Sequence, residues 1–101
     1  MELNWGQKLL GDLTMAYEHQ KAIQRELDAR IPRGLRGSKQ NEFRFGFSFF
    51  RTQGHSFVTS VTLARAKVRE TEPSFEPRVL PIGLSEADRA FLRDCGISAT
   101  W

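Results

Sequence analysis

The sequence predicts an α+β fold in the order α-β-β-(β)-α, an antiparallel hairpin sheet packed by a long N-terminal helix and a short C-terminal helix. Three observations predict it: an apolar stripe at helical spacing in residues 4–31, a strict alternation of phenylalanines from Phe43, and a helix-start signature at Ser85. With 101 residues, 40% of them hydrophobic, the chain suits a single domain, 1–101, that builds one core without metal or disulfide support.

The first helix is expected over residues 4–31. Leu9, Leu13, Ala16, Ile23 and Leu27, with Gln20 filling the gap, step by three and four residues, so they share one narrow face. Pro32 ends the helix by excluding helical geometry at Ile31. The stripe is expected to pack on the chain's own sheet; the alternative is a homodimer seam through helix 4–31.

Residues 32–41 hold two glycines, a proline and three cations with almost no apolar content, and read as a basic loop. Over residues 42–69 the pattern predicts a hairpin. Phe43, Phe45, Phe47 and Phe49 alternate with Arg44, Gly46 and Ser48, the period of a strand. Thr52-Gln53-Gly54-His55 is the turn, and Phe57 to Val68 is the β-branched partner strand. Apolar parity slips there, from Phe57, Val61 and Leu63 to Ala64, Ala66 and Val68, which a bulge near Leu63 or Ala64 would explain. Residues 70–84 read as a connection, with an optional edge strand at 79–83 limited by Pro81. A second helix is expected over 85–95, capped by Ser85, with Glu86 and Asp88 at its positive end and Gly96 after it.

Charge is unevenly distributed. Residues 30–69 carry nine cations against Glu42 alone, a local charge of +8 within a chain of net +3, so the remainder is acidic at −5. If the phenylalanine face is core, the opposite hairpin face and the loop form a basic surface. It comprises Arg33, Arg36, Lys39, Arg44, Arg51, Arg65, Lys67 and Arg69, with Phe50 as its exposed ring. Cations interleaved with an aromatic suit a phosphate backbone and a stacked base.

Phe45, Gly46, Phe47 and Phe50 also resemble the Phe-Gly-Phe-x-x-Phe part of the aromatic strand motif of RNA-recognition domains. Arg44 and Phe43 stand where that motif has glycine and a cation, and a helix stands where it has its first strand. Gly34-Leu35-Arg36-Gly37-Ser38-Lys39 lacks the glycine spacing and the flanking elements of a nucleotide-binding loop.

No enzyme is indicated. His19, His55 and Cys95 show no spacing that would make a nucleophile, a base and an orienting group, and one cysteine with two scattered histidines makes no zinc ligand set. No catalytic residue, metal or cofactor is assigned. The single cysteine fits a reducing, cytoplasmic setting, and no apolar run reaches membrane-spanning length. The expected function is non-enzymatic binding of nucleic acid through the basic surface. The alternative is a protein-interaction module, an adaptor, inhibitor or immunity-type protein, that engages an acidic protein surface.

Overall fold

The computed structural model describes the backbone of residues 5–97 and the side chains of residues 16–97. Among the described residues four helices follow one another: α1 (Trp5–Arg30), α2 (Lys39–Thr52), α3 (Phe57–Arg69) and α4 (Glu86–Asp94). Apart from an isolated bridge residue at Val79, no described residue is in a strand. The α+β expectation is therefore corrected: residues 42–69 form not a sheet hairpin but the greater part of two helices.

The physical reason lies in the spacing. In a helix Phe43, Phe47 and Phe50 fall on one face, and the first two are completely buried. Phe45 and Phe49 take nearly the opposite face. In α3 the buried Phe57, Val61, Ala64 and Val68 step by four, three and four. The parity slip that suggested a bulge is this helical period.

The link between the two helices is built from terminating chemistry. Gly54, at φ +98°, closes α2, its amide donating to the Arg51 carbonyl at 3.0 Å. Ser56 opens α3, its hydroxyl accepting from the Thr59 amide at 3.2 Å. The two helices then run antiparallel along their whole length. Near one end the Lys39 ammonium lies 3.4 Å from the Thr71 hydroxyl, and midway a Cβ on Gly46 would sit only 3.3 Å from that of Ala64. Phe47 and Phe57 meet edge to face at 5.4 Å beside the turn.

The C-terminal half of α1 and the residue after it bury Ile23, Leu27 and Ile31, the last two within the core cluster of the hairpin. Residues 16–22 are all exposed, so α1 projects past the core there. Of the stripe read from the sequence, Ile23 and Leu27 face the chain's own core, Ala16 is exposed, and Leu9 and Leu13 lie outside the described side chains.

Residues 70–84 return along the bundle without pairing into a sheet, which corrects the optional edge strand at 79–83. Their backbone is held by a side chain instead. Gln40 donates to the Pro32 and Arg78 carbonyls at 2.9 and 3.2 Å and accepts from the Arg78 amide at 3.1 Å. The Leu80 amide donates to the Arg30 carbonyl at 2.7 Å. Lys39, Gln40 and Asn41, read as loop from composition, are the first turn of α2. Ser85 caps α4, accepting from the Asp88 amide at 3.1 Å, and Leu92 and Ile97 lock that end into the core.

Far-UV circular dichroism should show a helical spectrum without a sheet contribution. Phe47→Ala should cost about 3–5 kcal/mol in urea denaturation, since it opens a cavity between α2 and α3. Gly46→Leu should cost about 1–3 kcal/mol by forcing the two helices apart at Ala64.

Candidate functional site

Folding the basic segment into helices changes what its cations do. The Arg44 side chain is 9% exposed, and its guanidinium donates to the Leu27 and Ile31 carbonyls at the end of α1 and to Asp28. A helix C-terminus presents unpaired carbonyls and negative potential, so a cation delivered from a neighbouring helix satisfies both. Arg51 joins α2 to α1 by donating to both carboxylate oxygens of Glu26 at 2.8 and 3.3 Å, and it also holds the His55 carbonyl at 2.8 Å. Arg65 reaches the Cys95 carbonyl at 2.6 Å and Glu76 at 2.9 Å, which ties α3 to the end of α4. Arg69 binds the same Glu76 and the Phe75 carbonyl.

The remaining predicted residues divide further. Lys39 pairs with Glu42 at 3.3 Å and Lys67 with Glu70 at 3.4 Å, both across a single helical turn. Arg33 is 75% exposed and lies 3.9 Å from Asp28. Arg36 is exposed, with no hydrogen bond or ion pair to a described residue. Phe50, the ring expected at the middle of the surface, packs against the core and meets Phe49 and His55 edge to face. The nine residues thus do not form one surface: Arg33 and Arg36 remain outward on the loop, while Arg44, Arg51, Arg65 and Arg69 brace the bundle.

Two electrostatic consequences follow. Gln24 and then Arg44, through their hydrogen bonds, hold the Asp28 carboxyl below its ordinary value of 3.8. The hydrogen bond from Arg51 to Glu26 raises the guanidinium pKa above its ordinary value.

Two exposed rings were missed by the strand reading. Phe45 is 78% and Phe49 52% exposed, one turn apart on the outer face of α2. Phe45 stands at the edge of an open cleft of about 310 Å³ between α1 and α2. Leu27 supplies apolar floor, Gln24, Asn41 and Ser48 polar wall, and Arg33 and Arg44 cationic wall. Asn41 also fixes the loop, donating to the Leu35 carbonyl at 2.7 Å and accepting from the Gly34 amide at 3.1 Å; that loop exposes 86% of Leu35. The helical i,i+4 spacing of Phe45 and Phe49 was the available signal, hidden by the period-2 alternation.

His19 is exposed on α1, and His55 and Cys95 are half-buried at helix ends. Among the described residues no group of three or more His, Cys, Asp or Glu could hold a metal, and no helix is long and apolar enough to cross a membrane. No protein-family model, curated protein or solved structure matches the chain.

Arg44→Met should destabilise the fold by about 1–3 kcal/mol, because the α1 carbonyls lose their partner, whereas Arg36→Ala should stay within about 0.5 kcal/mol of wild type. Asp28 gives a pH signature. Its folded pKa is lowered, so its stabilisation is present above the ordinary carboxylate value and is lost as pH falls through the lowered one. The stability difference between wild type and Asp28→Asn, read from urea midpoints, should be constant near neutrality and shrink in acid.

Proposed function

We propose that this chain is a non-enzymatic protein-interaction module that docks a partner protein through the outer face of α2 and the adjoining α1/α2 cleft. The observation that carries the reading is the outward pair Phe45 and Phe49, on a helix whose inner face already holds Phe43 and Phe47 in the core. A small folded chain has no packing use for two rings left in water, and exposed aromatic anchors beside polar groups are the usual chemistry of a docking site. The engagement of Arg51, Arg65 and Arg69 in intramolecular bonds supports the same reading, since a phosphate ligand would have to compete with carbonyls and carboxylates for them. The single cysteine is consistent with a reducing, cytoplasmic setting.

The charge excess of residues 30–69 favours a second reading, nucleic acid held by the loop cations Arg33, Arg36 and Lys39. The two readings separate by which side chains matter. A photo-crosslinking residue at position 45 should form nuclease-resistant protein adducts in cells that express the chain, and Phe49→Ser should reduce them without lowering the melting temperature. Salt-sensitive binding of DNA or RNA that needs Arg33 and Arg36 but not Phe45 or Phe49 would instead support the nucleic-acid reading and sink the docking one.

A further inference from the structure

We infer that the α1/α2 cleft takes an acidic amphipathic segment of a partner protein, with a carboxylate against Arg33 and Arg44 and an apolar side chain on Phe45; this rests on the docking reading above. The cleft has the composition such a ligand requires. Its charged lining is two guanidiniums with no carboxylate, and the remainder is two carboxamides, a serine, Leu27 and the ring of Phe45. Asp28 is the one acid that touches either arginine among the described residues, and both share it: Arg44 at 3.1 Å and Arg33 at 3.9 Å. That carboxylate also accepts from Gln24 at 3.1 Å. One negative charge between two positive ones leaves the cleft cationic.

The two arginines have different parts. Arg44 is fixed by the α1 carbonyls, so it supplies a preorganised positive floor. Arg33, 75% exposed on the lip, is free to swing onto an incoming carboxylate and bind it in the two-pronged geometry that guanidinium and carboxylate share. Phe45, 78% exposed at the same cleft, offers the apolar contact, and the loop that carries Arg33 also exposes 86% of Leu35. A purely apolar ligand would bury Arg33 with no acid nearer than Asp28 at 3.9 Å, and a basic one would meet repulsion; an acidic segment with an apolar anchor complements both arginines and Phe45.

The test is selection from a phage library of random short peptides, followed by titration of a synthesised winner. The wild-type chain should enrich sequences that set Asp or Glu beside Leu, Phe or Trp. Binding of the winner should weaken about tenfold with Arg33→Gln and with the paired Phe45→Ser and Phe49→Ser change, and should weaken as salt is raised. Circular dichroism of each variant keeps loss of fold apart from loss of binding. A pool without acidic enrichment, or winners indifferent to Arg33→Gln but lost with the phenylalanine pair, overturns the acidic partner and leaves the docking reading standing. Winners indifferent to all three side chains, or no enrichment, overturn both. Displacement of the peptide by a single-stranded oligonucleotide that binds more tightly and needs Arg33 assigns the cleft to phosphate and overturns the acidic peptide.

Discussion

The close approach of α2 to α3 at Gly46 and Ala64 is the constraint on which the rest of the molecule depends. With no side chain at Gly46 and a single methyl at Ala64, the two helices come near enough for Phe43 and Phe47 to fill the space beneath them, against Phe57 and Val61. The hairpin then presents an apolar surface to Leu27 and Ile31 and to Val79, Leu84, Leu92 and Ile97. Its antiparallel register also fixes which residues of α2 cannot be buried. Once Phe43 and Phe47 point inward, helical geometry turns Phe45 and Phe49 to water.

Arginines extend that arrangement to the parts of the chain with little apolar surface to offer. Arg44 closes the carbonyl end of α1, Arg51 ties α2 to Glu26, and Arg65 with Arg69 gathers Glu76, Phe75 and Cys95 around the end of α3. All four reach a backbone carbonyl, Ile31, His55, Cys95 and Phe75 in turn, that secondary structure leaves without an amide partner. A cluster that looks in sequence like a field aimed outward is in large part a set of cross-links aimed inward. What remains outward is narrower and mixed: Arg33 and Arg36 on the loop and Lys67 on α3, with two exposed phenylalanines on α2.

Legibility in the sequence tracked the kind of signal. Pro32, Ser85, Glu86, Asp88 and Gly96 mark the ends of α1 and α4 because terminating a helix is local chemistry. The central segment misled for an equally physical reason. Residues four apart share a face in a helix and in a strand alike, so Phe43 with Phe47 and Phe45 with Phe49 satisfy both lattices, and β-branched residues in α3 added weight to the wrong one. Gly54 and Ser56 are as natural at a helix end and a helix start as in a strand turn. Of the residues expected on one surface, Arg33 and Arg36 are outward, Arg44, Arg51, Arg65 and Arg69 turn inward to acceptors of the bundle, and Phe50 packs against the core, whereas Phe45 and Phe49 are exposed.

The sequence by itself determined the charge segregation, the outer helix ends and the supply of aromatic and small residues from which a core is made, since each of these is set by residue identity or by neighbours along the chain. Only the tertiary structure decided that the central phenylalanines divide between core and surface and that four arginines serve as braces. Those outcomes depend on partners distant in the chain: Ala64 for Gly46, the α1 carbonyls for Arg44, Glu26 for Arg51 and Cys95 for Arg65. A guanidinium is equally at home on phosphate, carboxylate or carbonyl, so its role is fixed by what the fold brings within reach.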